Sequence, residues 1–179
     1  ISGGTITGSV YGGSRGSSVF YHEVNKYGQT IDHIAEMNGT INLTITGTEE
    51  NYPYIKSAIY GAGRGLSTAP RKATQADVDA GKAANVGDSY TEEYPRIATA
   101  GNTDLGEGYK TNVNITIDLP ESVPFPNDIY GGGQMGLVDG NTNIVLKRGT
   151  FTGNIYGGGY GEKEHLDKAL ITGNTSLTT

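Results

Sequence analysis

Ile155-Tyr156-Gly157-Gly158-Gly159 is the fourth appearance of one short phrase. The earlier ones are Val10-Tyr11-Gly12-Gly13, Ile59-Tyr60-Gly61-Ala62-Gly63 and Ile129-Tyr130-Gly131-Gly132-Gly133. A further glycine follows each, at Gly16, Gly65, Gly136 and Gly161, and in the first two an arginine precedes it, Arg15 and Arg64. A phrase that recurs with so fixed a grammar predicts stacked, repeated structural units. The tyrosines are 49, 70 and 26 residues apart. The shortest spacing gives the uninterrupted unit, and the longer ones are that unit plus insertions.

Each phrase is preceded by an alternating segment. In residues 39–47 Ile41, Leu43 and Ile45 share one parity, and Asn42, Thr44 and Thr46 the other. Residues 112–119 repeat this with Val113, Ile115, Ile117 and Leu119 inward. Asn143 to Lys147 forms a third segment, and Thr5 to Tyr11 a shorter one with Ile6 and Val10 inward. A period of two is the signature of a strand with one buried face. Pro120, Pro124 and Pro126 end the second segment before the next phrase.

One such unit has an apolar face only two or three residues wide and cannot bury it alone. Stacking the units pairs each strand with its equivalent about 4.8 Å away and encloses the aliphatic residues. The pattern therefore predicts an all-β chain, a parallel β-helix (β-solenoid) of about four coils and about 20 Å in length. Insertions at 17–37, 66–111 and 162–168 interrupt it. Residues 75–84, after the capping-type Thr74, are the one place where a short helix is expected, limited to two or three turns by Gly81 and Gly87. The rest of that insertion, with Tyr90, Tyr94 and Tyr109, reads as loop. A kelch-type propeller would suit the 49-residue spacing but not the 26-residue one, and the chain has no tryptophan.

The stretch Thr-Phe-Thr-Gly-Asn-Ile-Tyr-Gly-Gly-Gly at 150–159 and its relative at 5–13 resemble bacterial cell-surface repeat proteins of the adhesin-like type. Those proteins have right-handed parallel β-helix folds akin to pectate-lyase-like proteins. The resemblance covers the repeat-bearing half of the chain and none of the long insertion. It implies a right-handed coil, an extracellular location at the bacterial cell surface, and a non-enzymatic stalk or adhesive module. Residues 1–179 then form one β-helix segment excised from a longer repeat protein. The C-terminal Thr-Ser-Leu-Thr-Thr reads as a strand beginning a further repeat. The partners implied are adjacent repeats of the same polypeptide and a host or environmental glycan or protein.

Composition excludes several classes. A net charge of −6 on 179 residues argues against a nucleic-acid partner. No apolar run approaches the roughly 20 residues of a membrane span. Without cysteine there are no disulfides or thiolate metal sites. The glycine runs are not phosphate loops, because no Gly-Lys-Ser/Thr follows them.

The candidate ligand-binding residues are Tyr11, Tyr60, Tyr130 and Tyr156, with Arg15 and Arg64. The tyrosines have the parity opposite to Val10, Ile59, Ile129 and Ile155, so stacked strands would align them outward into an aromatic ladder. Flat rings bind sugar faces, but aligned rings also stabilise neighbouring units, and the glycines supply bends needing positive φ or close approach. The arginines suit a carboxylate or sulfate, or pack along a corner. A polysaccharide lyase or hydrolase would need converging carboxylates, with a basic residue or calcium nearby. Asp104 and Glu107 in 101–108 only loosely resemble a calcium loop; Asp77, Asp79 and Asp88 are scattered, and Asp118 stands almost alone on a strand. His22, His33 and His165 lie in insertions without metal-ligand spacing. No catalytic residue, metal or cofactor is assigned. The Asn-x-Ser/Thr sequons at Asn38, Asn42, Asn114 and Asn174 are matches of the kind that arise by chance in a threonine-rich strand protein.

Overall fold

The computed structural model describes residues 1–15, 21–24, 30–33, 37, 39–66, 68–93, 97–100 and 110–179. Strands dominate, with one short α-helix, and the repeated segments pair in parallel. Each of two four-stranded sheets takes one strand from every repeat.

The first sheet runs Thr175–Thr178, Gly140–Arg148, Thr111–Asp118, Ile41–Thr46. Its register sets equivalent residues side by side. Leu43 meets Ile115, which meets Ile144, which meets Leu177; Ile45 meets Ile117, which meets Leu146. These columns form one wall of a core that also holds Ile55, Ile59, Leu119, Phe125 and Ile129. Ile45, Ile59, Ile115, Ile117, Ile129 and Ile144 are fully buried. Burying each such side chain is worth about 1.5–3 kcal/mol, far more than strand propensity alone. The outward columns carry amides. Asn114 Nδ2 donates to Asn42 Oδ1 at 2.9 Å, and Asn141 Nδ2 to Asn112 Oδ1 at 3.0 Å. Among the sequons, the Asn42 and Asn114 side chains are thus bonded to each other.

The second sheet consists of the phrase itself: Ile155–Tyr156, Ile129–Tyr130, Ile59–Tyr60, Val10–Tyr11 in that order, all parallel and in register. Two-stranded parallel pairs flank it, Thr5–Ile6 with Tyr54–Ile55 and Pro124–Phe125 with Thr150–Phe151. Pairing of the phrase copies with each other, rather than within an antiparallel blade, agrees with the stacked units that the 26-residue spacing predicts and not with a propeller.

The insertions hold more structure than their sequence suggests. Residues 66–111 were expected to be loop apart from a helix. Instead Thr68–Lys72 and Ser89–Glu93 form an antiparallel hairpin, so Tyr90 lies on a strand. Ile97–Ala100 pairs in parallel with Gly136–Val138, and Val138 bridges Ile171. Glycine and proline at these strands conceal the period of two. The helix is present at Gln75–Asp79, shorter than two turns, with the Thr74 N-cap and a capping box closed by Asp77. Gly81 and Gly87, both at positive φ, turn the chain back toward the second strand. In 17–37 the described residues form a second antiparallel hairpin, Tyr21–Val24 with Thr30–His33. A 3₁₀ turn, Leu166–Ala169, closes the third insertion. Among the described residues no helix is long and apolar enough to cross a membrane.

A buried charge fastens the end of the long insertion. Asp139 is buried, and its carboxylate accepts hydrogen bonds from Lys110 Nζ and from Thr172 Oγ1, the latter at 2.6 Å. Burial pushes this carboxyl up, but the bonds from Lys110 and Thr172 and the lysine charge outweigh it and hold it below the ordinary aspartate value. Such a group stabilises the fold fully above the unfolded value of about 3.9, and the contribution is lost as pH falls through the lower folded value. Lys110→Ala should therefore cost about 2 kcal/mol in urea unfolding at pH 7. The deficit should shrink as both proteins are acidified below that value. A deficit that persists in acid would assign the effect to packing of the lysine stem instead.

Candidate functional site

The four repeat tyrosines come together as the parity argument requires. Ile59 and Ile129 enter the core, and the adjacent rings stack on the other side of the sheet. Tyr11 and Tyr60 lie 4.9 Å apart with planes at 9°, Tyr60 and Tyr130 5.1 Å at 11°, and Tyr130 and Tyr156 4.8 Å at 8°. These centroid spacings equal the strand spacing of about 4.8 Å, so register alone places the rings in stacking contact. Each contact is worth about 0.5–1.5 kcal/mol beyond area burial.

Outward parity does not leave the middle rings open. Tyr60 is 5% and Tyr130 7% exposed. Both faces of each are covered by ladder neighbours, and Tyr160 packs its ring edge-on to them, at 6.4 and 5.4 Å. The Tyr160 backbone is anchored on the third repeat, its N–H donating to Gly133 O at 2.9 Å. Tyr11 is half-buried and donates its hydroxyl to Gln134 Oε1 at 2.7 Å. Tyr156 is 44% exposed and Tyr160 48%. The open aromatic surface is thus the end of the ladder, not its length. Nothing in the sequence marked Tyr160 as the ring that covers it, since it lies just beyond the phrase.

The glycines explain how the strands approach so closely. A methyl group on Gly12 would lie 2.2 Å from Gly61 O, on Gly61 2.3 Å from Gly131 O, and on Gly131 2.3 Å from Gly157 O. The same backbones are bonded across the sheet, Gly61 N–H to Tyr130 O and Gly131 N–H to Tyr156 O, both at 2.8 Å. Of the two glycine roles proposed from sequence, close approach holds for the first residue of each cluster; positive φ appears at Gly65 and Gly161, which end it.

Arg15 and Arg64 occupy adjacent repeats, with Arg64 N–H donating to Ser14 O at 3.0 Å. Both are exposed, and neither guanidinium has a hydrogen-bond or ion-pair partner among the described residues. Beside the ladder, Asp128 accepts from the N–H and side chain of Asn154 at 2.8 and 3.1 Å and faces the Tyr130 hydroxyl.

The acidic candidates do not converge. Asp77 caps the helix and accepts from Tyr90 Oη at 3.0 Å. Asp79 pairs with Gln75, and Asp88 with Asn85. Asp118 accepts from Arg148 Nε at 2.6 Å across a register shift, a pairing the sequence did not reveal. Asp104 and Glu107, and the side chains of His22 and His33, lie outside the described residues. His165 is the N-cap of the 3₁₀ turn. Among the described residues no three metal-ligating side chains gather. An open depression of about 500 Å³ lies between the hairpin of Thr68–Lys72 with Ser89–Glu93 and the 3₁₀ turn, lined by Lys82, Tyr90, Thr91, Glu92, Glu93 and Lys168. Comparison with protein-family models, curated proteins and solved structures gives no match.

Two predictions follow from the ladder. Gly131→Ala should cost about 3 kcal/mol or more, because its methyl group meets backbone that cannot swing aside. Gly158→Ala, with nothing within 4 Å, should be neutral or stabilising by up to about 1 kcal/mol. Equal losses in the two variants, measured by urea unfolding, would contradict the close-approach reading. The second concerns ionisation. Tyr60 and Tyr130 are pushed up to about 12, by burial first and then by neighbouring tyrosines and Asp128. Their neutral form contributes stability that is complete below about pH 10 and lost as pH rises through about 12. Absorbance titration should show two tyrosines ionising only with alkaline unfolding. Ionisation of all 12 tyrosines near pH 10 would contradict this.

Proposed function

We propose that this chain is a segment of a right-handed parallel β-helix that serves as a non-enzymatic scaffold. The observation that carries this reading is the in-register parallel stacking of all four phrase copies, rings included. It makes each repeat a platform for the next and allows a rod to be extended. The resemblance of 150–159 and 5–13 to bacterial cell-surface repeat proteins adds the setting: an extracellular stalk or adhesive module. Contact surfaces for a glycan or protein then belong to the insertions, since loops and hairpins on a rigid scaffold carry binding. The hairpin of Thr68–Lys72 and Ser89–Glu93 suits that role, because among the described residues it pairs only within itself and shares no sheet with the stack.

A second reading, a carbohydrate-binding module, draws on one observation. The exposed ring of Tyr156 presents a flat face at the end of the ladder. An enzymatic reading, a polysaccharide lyase or hydrolase, has less support, because Asp77, Asp79, Asp88 and Asp118 each have local partners.

The experiment is replacement of residues 69–92 by a short Gly-Ser link, with circular dichroism, thermal melting and a glycan array. The scaffold reading expects unchanged β content and a melting midpoint within about 4 °C of the parent, a shift worth about 1–2 kcal/mol at most. Loss of the cooperative transition would sink it. Glycan binding that survives this deletion but disappears in Tyr156→Ala would establish the carbohydrate-binding reading in its place.

A further inference from the structure

We infer that Arg15 and Arg64 form a cationic strip along the stack that binds an anionic polysaccharide through its carboxylate or sulfate groups. The inference uses the register of the phrase sheet. It depends neither on the scaffold role nor on the exposed face of Tyr156.

The register of the tyrosines continues past the glycines. Tyr11, Tyr60, Tyr130 and Tyr156 are partners at separations of 49, 70 and 26 residues. The same separations join Arg15 to Arg64, Arg64 to Gln134, and Gln134 to Tyr160. Backbone bonds hold that alignment. Arg64 N–H donates to Ser14 O and Gln134 N–H to Gly63 O, both at 3.0 Å, and Tyr160 N–H to Gly133 O at 2.9 Å. The four residues therefore form one column across the four repeats, alongside the ladder. Gln134 accepts the Tyr11 hydroxyl and Tyr160 packs on Tyr60 and Tyr130, so the column stands on the ladder's side of the sheet.

The first two members are like charges on neighbouring strands, about 4.8 Å apart at the backbone. Like charges directly opposite each other destabilise a sheet. Elsewhere the chain pairs its cations across repeats, Arg148 with Asp118 and Lys110 with Asp139. Asp and Glu number 19 against 13 Lys and Arg, yet among the described residues no carboxylate meets Arg15 or Arg64. Arg64 has a described neighbour on either side of it in the column, and it is still exposed. Packing along a corner, the other role open to these arginines, would cover them.

An external oxyanion supplies the missing charge. A planar guanidinium donates two parallel hydrogen bonds to such a group, and two guanidiniums in line take successive charged groups of one chain. Gln134 adds a third position, because its Oε1 accepts the Tyr11 hydroxyl and its Nε2 remains a donor. The three positions span about 10 Å along the stacking axis, which suits an extended polymer rather than a single ion. The middle rings of the ladder are buried, so the contact is made by charge and hydrogen bonds, not by stacking on the rings.

The test is binding of the 179-residue chain to heparin, to polygalacturonate and to neutral dextran, at a salt concentration of about 50 mM to limit screening. The chain should bind at least one of the anionic polymers and not dextran; preference for heparin identifies the group as sulfate, and for polygalacturonate as carboxylate. Arg15→Gln combined with Arg64→Gln should lower that affinity about tenfold or more. The charge-matched pair Lys56→Gln with Lys147→Gln should keep it within about twofold, since distant charges act only through the screened field. The arginine variant should melt no lower than the parent, because it removes a repulsion. Binding to neither anionic polymer, equal binding to dextran, or equal loss in the lysine pair would overturn the inference. So would a lower melting midpoint, which would make the arginines packing residues. Loss confined to Tyr156→Ala would also overturn it, while favouring the carbohydrate-binding reading at the end of the ladder.

Discussion

The structure depends on how closely one repeat can lie on the next at the glycine that follows each tyrosine. Carbonyl oxygens of the neighbouring repeat sit 2.2–2.3 Å from where a side chain would begin on Gly12, Gly61 and Gly131. No other residue fits there. A glycine within a strand is ordinarily unfavourable by about 0.5–1 kcal/mol, a cost set against three ring stacks and an unbroken set of backbone hydrogen bonds. Because stacking, pairing and column alignment all need the same spacing, the phrase acts as one constraint.

Polar groups follow the same register. Thr142 stands in the column of Ile41 and Val113, with Thr175 beyond it, and its hydroxyl donates to Gly157 O at 2.7 Å. Each amide pair on the outer face joins one register position of two neighbouring repeats, Asn42 with Asn114 and Asn112 with Asn141. Asp139 departs from this economy: it is a charge placed inside, where Lys110 and Thr172 converge from both flanking repeats. A buried charge so paired adds specificity of register more readily than stability.

What the sequence disclosed follows from periodicity. Alternation in 39–47 and 112–119 identified the strands and their inward residues, because a period of two leaves no choice of face once one side is apolar. The spacing of the tyrosines implied their alignment. Features outside that grammar were hidden. The hairpin of 68–72 with 89–93 includes Pro70 and a charged partner strand, so its pattern is not that of a buried face. Tyr160 covers the ladder from beyond the phrase, and the Asp118–Arg148 pair depends on a register shift that no local pattern announces. Those contacts are decided by packing in three dimensions.

The uneven spacing of the phrase also has a kinetic meaning. Bonds between repeats join residues far apart in the chain, 72 positions for Asn42 and Asn114 and 29 for Asn112 and Asn141. Bringing together the tyrosines 70 residues apart costs about 0.9 kcal/mol more in chain entropy than joining those 26 apart. The third and fourth repeats therefore meet first, and the seam between the second and third, with the long insertion across it, closes late. The same insertion that displays a hairpin to solvent makes the middle of the stack, rather than either end, the last part to close.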